Sequence, residues 1–500
     1  MIKSTILPGY HKAINGRDII YSDHINLAAA KNGGDSAAVT LLSDENAAGV
    51  QICVGEPPAG VTCDMFLEHM LVANGEMWPD PLTEFSGELT LTAGEYKSVL
   101  LRFNCSEDAE AGEYRIPVIV KVGTERIAEL TIELRIWNFT LGYEFTTAFG
   151  LNGEQLLCYH GFDKDDTEKE QALYKVYYDY MLEHRVCAYV LPYDVLDPRA
   201  DAYMSDPRVT AFHINSQLGN GDGDDMLVKR YEKLCTNPQW MKKAYIYPFD
   251  EPSDKATIDK MLDRTKTLNA ICPGLRQVSP FYADVKYDEE HDSIAILGDI
   301  LEILCPKLAC FDDDYVYRFN EEQRGMYPAF ANRMAEYQKN GKDLWSYVCW
   351  EPGLPYTNVF VNEEGLNHRI CFWQTFLYGC AGFLYWCVNY WVNVTDPWAD
   401  MATLRGWLTD RVHGDGSLLY NGSKVGVFGP CGSVRFEAVR AGIEDCELLT
   451  LAVKAFGREW VNAQIQKVTN SVTECNPSSE LFAAVRAEIG NALEKKINLG

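Results

Sequence analysis

The chain has 500 residues, 47% hydrophobic and 12% aromatic, a globular composition that suits two or three domains better than one core. Its 72 acidic residues against 45 basic ones give a formal charge of −27, which repels nucleic acid and anionic membrane surfaces and favours a neutral partner. No uncharged apolar run approaches a membrane span, no apolar leader follows Met1, and the 16 scattered cysteines lack CxxC pairs and read as buried thiols of a reducing cytoplasm. A cytoplasmic location is expected, or a secreted or periplasmic one if a leader has been trimmed; the oligomeric state stays open.

Up to about Ile136, short alternating runs are separated by turn residues, clearest at Leu89–Thr92, Ser98–Phe103, Tyr114–Val122 and Ile127–Ile136. Repeated strands without intervening helices predict an all-β sandwich over residues 1–140. Within it, Gly75–Leu82 carries Pro79 and Pro81 and predicts a loop closing one end.

From about Thr146, strand-like runs alternate with amphipathic helical ones. The strand-like runs are Phe145–Leu151, Ala188–Leu191, Val209–Ile214, the stretch around Tyr245–Phe249, Arg276–Tyr282, Glu302–Phe311, Leu344–Trp350 and Gly382–Val388. Helices are predicted at Glu168–His184, Asp225–Leu234, Lys255–Ile271, Glu321–Lys339 and Leu366–Tyr378. This alternation predicts a (β/α)8 TIM-like barrel over 141–405, with the Tyr245 stretch as its fourth strand. Residues 406–500 read as a small extension, with a β-hairpin around Lys424–Phe428 and helices at Val434–Leu451 and Leu481–Leu493 packed on the barrel.

The fourth strand ends KAYIYPFDEPS, with Asp250 and Glu251 at the hand-over from strand to helix, the edge where barrels bind ligands. Adjacent carboxylates beside an aromatic wall raise the pKa of at least one, which suits a general acid. The competing reading, equally weighted on these residues alone, is that Asp250 only caps the following helix. Aromatic residues with polar tips crowd the ends of later strands: Tyr282, Tyr315 and Tyr317, Tyr347 and Trp350, then Trp386, Asn389, Tyr390 and Trp391. Flat rings beside amides and carboxylates suit the C–H faces and hydroxyl rims of sugars; Phe383 and Tyr385, inside a strand, read as core. There is no GxSxG, HExxH, Walker loop or GxGxxG. His160, His184 and His213 lack ligand spacing and Asp312–Asp314 reads as a solvated loop, so neither metal nor cofactor is expected.

Four motifs in this order carry a resemblance: the strand-end Asp250-Glu251-Pro252, the run Phe383–Trp391, the turn Gly414-Asp-Gly-Ser-Leu-Leu-Tyr420 and the segment Val434–Leu449. Together the chain resembles glycoside hydrolase family 123 and the uncharacterised family sharing its catalytic domain. The resemblance implies a retaining β-N-acetylhexosaminidase of β-N-acetylgalactosaminidase type, acting on a neutral oligosaccharide or glycoconjugate through the substrate's own 2-acetamido oxygen. Asp250 would orient the acetamido N–H, Glu251 would serve as general acid and then base, and Tyr347, Trp386, Asn389 and Trp391 would line the sugar subsite. Glu351, after the seventh strand, opens an alternative in which it is the nucleophile and Glu251 the acid/base of a conventional retaining glycosidase. A non-catalytic glycan-binding protein would use the same aromatic pocket.

Overall fold

A computed structural model of the protein describes residues 1–215, 223–392, 394–402 and 412–499. Among these, ten strands build the N-terminal sandwich: β1 (Ile2–Pro8), β2 (His24–Lys31), β3 (Gly33–Ser43), β4 (Ala47–Val54), β5 (Val61–Ala73), β6 (Glu76–Glu84), β7 (Leu89–Leu91), β8 (Tyr96–Cys105), β9 (Gly112–Val122) and β10 (Glu125–Thr140). They form two five-stranded sheets, ordered β1-β3-β8-β5-β6 and β2-β10-β9-β4-β7. Alternation in β9 and β10 turns Ile116, Val118, Val120, Ile132 and Leu134 onto Val39, Leu41, Val99 and Leu101 of the other sheet. Each such side chain contributes about 1.5–3 kcal/mol by leaving water.

Gly75–Leu82 is not a loop. Most of it is β6, paired antiparallel to β5 with Trp78 opposite Leu71 and Pro79 opposite Met70. Both prolines are tolerated because β6 is an edge strand, where a missing N–H costs no ladder bond.

The second unit is a parallel sheet of seven strands among the described residues: β11 (Thr146–Phe149), β12 (Phe212–His213), β13 (Ala244–Ile246), β14 (Arg276–Phe281), β15 (Ile303–Pro306), β16 (Asp343–Val348) and β17 (Gly382–Tyr385). The order β11-β17-β16-β15-β14-β13-β12 nearly closes a barrel. The eight-strand reading is corrected at Ala188–Leu191, which makes a single parallel bridge, Phe149 to Ala188, in place of a strand. Tyr189 N donates to Phe149 O and His213 N to Tyr189 O, both at 2.7 Å, so one residue spans the gap between β11 and β12. Pro192, which has no N–H, ends the run before a ladder can extend. The barrel interior mixes aromatic side chains with small and aliphatic ones, with Tyr245 edge-on to Trp345 at 5.4 Å.

Helices at Thr167–Glu183, Asp224–Leu234, Lys255–Ile271 and Gly365–Leu377 cover the barrel. The helix expected at Glu321–Lys339 begins only at Phe330, because Gly325 and Pro328 interrupt its first half. A helix at Ser293–Ile300 was not foreseen.

The helix Val434–Phe456 packs on more than the barrel. It is wedged between barrel and sandwich with most of its charged residues buried, several of them paired with residues of the two flanking units. Arg435 meets Asp80 of β6, Glu437 accepts from Arg102 of β8 at 2.8 Å, and Asp445 accepts from Arg369 of the helix Gly365–Leu377 at 2.6 and 2.9 Å. The 16 cysteines are all free thiols, most of them buried.

Candidate active site

Strand β13 stops at Ile246, and the chain turns outward through Tyr247–Ser253 before the next helix. That helix is capped by Asp254, whose carboxylate accepts from Thr257 N at 2.7 Å, so Asp250 is not the cap. The turn is pinned from the neighbouring strand by Ser279, which donates to Phe249 O at 2.8 Å. Glu251 then adopts φ +40°, a left-handed conformation rare for a side-chain-bearing residue and costing about 1–3 kcal/mol.

The two acids meet different surroundings. Asp250 is exposed and accepts from Tyr247 Oη at 2.6 Å. Glu251 is largely withdrawn from solvent and accepts from Tyr347 Oη, which rises from β16. Burial pushes the Glu251 carboxyl above its ordinary range; the Tyr347 hydroxyl and the Lys307 ammonium partly oppose this, and Asp250 and Glu351 add to it. One carboxyl thus keeps its proton longer than an exposed acid while its neighbour faces water, the separation of roles an acid and its helper require.

Lys307 follows β15 and is buried, with its ammonium 5.1 Å from the Tyr282 ring, 5.7 Å from Tyr347 and 5.8 Å from Trp350. Burial disfavours its charge most, but Cys349, Glu251 and Glu351 together outweigh that and shift it upward. Glu351, three residues past β16, accepts from Lys307 Nζ at 3.3 Å and Tyr315 Oη at 3.2 Å, with Arg318 Nη2 at 3.6 Å. Arg318 stacks 3.7 Å over the Tyr315 ring. Tyr282, Tyr315, Tyr347, Asp250, Glu251 and Glu351 therefore gather at the C-terminal edge of one sheet.

Residues 225–452 match the family model described as the glycoside hydrolase 123 catalytic domain, a span that contains β13 to β17 and every side chain of this cluster. Those residues are a glycoside hydrolase family 123 catalytic domain. The whole chain also overlays a family 123 glycoside hydrolase from Clostridium perfringens, described for glycolipid glycan hydrolysis, at TM-score 0.69 and 12% identity, covering 100% of this chain and 98% of that one. Likeness at that identity speaks to the fold. A family 39 glycoside hydrolase from the gut symbiont Bacteroides cellulosilyticus WH2 reaches only TM-score 0.34 at 10% identity, over 83% of this chain and 81% of its own, and carries no weight. No curated protein matches the chain. The protein is accordingly a glycosidase.

Beyond β17 the family 123 domain separates the residues of Phe383–Trp391. Trp386 is half-buried and donates from Nε1 to Asp415 Oδ2 at 3.0 Å, which sets the direction of its ring. Asn389 and Trp391, expected at the sugar subsite, are corrected to structural positions. Asn389 is buried and exchanges its amide with the backbone of Asn152, accepting from N and donating to O at 2.9 Å each. Trp391 is buried in the core against Tyr159 and donates to Leu419 O at 3.1 Å. Both belong to the joint between β17 and the segments before and after it.

Three residues escaped the sequence reading. Asp415, fully buried and also accepting from Tyr385 Oη at 3.2 Å, is pushed up to about 7 by burial. Its signal was the Gly-Asp-Gly turn, read only as a turn; Gly416 at φ +70° leaves room for Trp386, because a Cβ there would stand 2.2 Å from the ring. Lys307 was hidden inside a run taken as strand, although a lysine beside Cys305 and Pro306 in an apolar run was the clue. Arg318 left none. Among the described residues no group of three His, Cys, Asp or Glu side chains is placed to hold a metal ion, and no helix is long and apolar enough to cross a membrane.

Proposed function

We propose that the protein removes terminal β-linked N-acetylhexosamine, N-acetylgalactosamine first, from a neutral oligosaccharide or glycoconjugate by substrate-assisted retention. The observation that carries this reading is the unequal pair at one strand end: an exposed Asp250 held by Tyr247, and beside it a Glu251 whose carboxyl burial keeps protonated longer. Adjacent residues serve one side of one sugar and cannot flank it. In this chemistry Asp250 accepts the acetamido N–H and turns the carbonyl oxygen onto the anomeric carbon, while Glu251 gives its proton to the departing oxygen. An oxazolinium ion forms with retention to follow; Glu251, now a carboxylate, takes a proton from the water that opens it. Trp386, Tyr282 and Tyr347 supply flat faces for the sugar.

A second reading has one specific observation behind it: Glu351 faces the same Lys307 as Glu251, from a strand three places round the sheet. Conventional retaining glycosidases hold two such carboxyls about 5 Å apart, one as nucleophile. Aryl N-acetyl-β-galactosaminide and N-acetyl-β-glucosaminide, set beside the matching glycosides without the acetamide, separate the readings. Substrate assistance expects hydrolysis of acetamido sugars only, with Asp250→Asn lowering kcat by about 100-fold or more in a folded enzyme. Full activity of Asp250→Asn, or equal cleavage of sugars without the acetamide, overturns it.

A further inference from the structure

We infer that Glu351 is a substrate-binding carboxylate that accepts a hydroxyl of the terminal sugar through Oε2, and so helps decide which sugar is taken. The inference rests on the glycosidase reading above, in which the acetamido oxygen occupies the reacting face of the anomeric carbon and leaves no task there for a second carboxylate.

Lys307, Tyr315 and Arg318 all reach Glu351 through Oε1, at 3.3, 3.2 and 3.6 Å, and Oε2 has no hydrogen-bond partner among the described residues. The donors are themselves fixed. The Lys307 side chain is 2% exposed, and Arg318 Nη1 is held by the carbonyls of Tyr282 at 3.0 Å and Tyr315 at 2.5 Å. The carboxylate is therefore held through Oε1, which leaves Oε2 as its remaining acceptor. The Glu351 side chain is 31% exposed, at the sheet edge that carries Glu251.

The contacts to Oε1 are also longer than the about 2.7–2.9 Å of a closed charge-assisted pair. Glu351 is held without being consumed as a salt bridge. A sugar hydroxyl can replace water at Oε2 and donate a charged hydrogen bond to it, a contact that a sugar lacking that hydroxyl cannot make and that therefore discriminates between sugars.

The test pairs wild type, Glu351→Gln and Glu351→Ala with an aryl N-acetyl-β-hexosaminide and its 3-, 4- and 6-deoxy analogues, with circular dichroism as the check on folding. Glu351→Gln is expected to lower kcat/KM by about 10- to 100-fold, chiefly through KM. Against the one analogue that lacks the bound hydroxyl, the substitution is expected to cost less than about threefold, since the contact is already gone. Equal losses on every analogue overturn the inference. A collapse of kcat rescued by azide as a glycosyl azide overturns it too, and makes Glu351 the nucleophile. If wild type cleaves only glycosides without the acetamide, the proposed function fails by itself, and the same cycle on those glycosides still decides Glu351.

Discussion

Replacing Tyr347 with phenylalanine isolates what tunes the proposed acid. The hydroxyl donates to Glu251 Oε1 from a buried ring in β16, and phenylalanine keeps the ring while removing the donor. A donor favours the ionised carboxylate, so the bond lowers a pKa that burial has raised. Without it the proton stays on to higher pH. Hydrogen bonds to charged groups are worth about 1.5–3 kcal/mol, and about 1.4 kcal/mol moves a pKa by one unit, so the shift is about 1–2 units upward. The alkaline limb of kcat/KM reports the acid of the free enzyme and is measured with an aryl N-acetyl-β-hexosaminide across pH 4–10. An alkaline limb that stays in place, in a variant with wild-type thermal stability, refutes the assignment of Glu251 as the acid under Tyr347's control.

Trp391→Phe is expected to cost about 1–3 kcal/mol in urea unfolding, through the lost bond to Leu419 O, with KM within about twofold of wild type, whereas Trp386→Phe, which loses a comparable bond to the buried Asp415, should raise KM as well as lower stability. Glu437→Gln is expected to destabilise the protein by about 3–5 kcal/mol at pH 7, because Arg102, His184 and Arg440 are left facing a neutral amide. Arg102, Arg440 and His184 overcome the opposing effect of burial and hold the Glu437 carboxyl far below its ordinary range. Its contribution is therefore present above the unfolded pKa of about 4.3 and fades as pH falls below it, so the difference between variant and wild type should shrink in acid. Glu68 is the opposite case. It is buried with neither carboxyl oxygen hydrogen-bonded, and burial pushes it up to about 8. Stability is then lost as pH rises from about 4.3 to about 8, by up to ~1.4 kcal/mol per unit, and Glu68→Gln should flatten that part of the stability profile.

Legibility in the sequence followed locality. Alternation in β9 and β10, and the strand-to-helix hand-over at Asp250-Glu251, depend on neighbours along the chain and could be read. Where pairing decides, the pattern misled. Ala188–Leu191 has strand-like residues but only one bridging position to fill. β6 carries two prolines, yet an edge accepts them. The aromatic run after β17 stands out in the sequence, but at a strand end the two-residue alternation of faces lapses, and Trp386 and Trp391 part company over five residues. Asp415, Lys307 and Arg318 reach the site from other loops and strands. Buried charges such as Asp445 and Arg369 are also legible only once a helix Val434–Phe456 is seen wedged between two domains.

The most direct test of substrate participation is kcat/KM for an aryl N-acetyl-β-galactosaminide series in which the acetyl group carries none, one, two or three fluorines. Fluorine drains the carbonyl oxygen that is proposed to attack the anomeric carbon. Participation requires kcat/KM to fall steeply at each step, by orders of magnitude over the series. A flat series, with each compound turned over at the rate of the parent, contradicts it and returns the nucleophile's role to the enzyme.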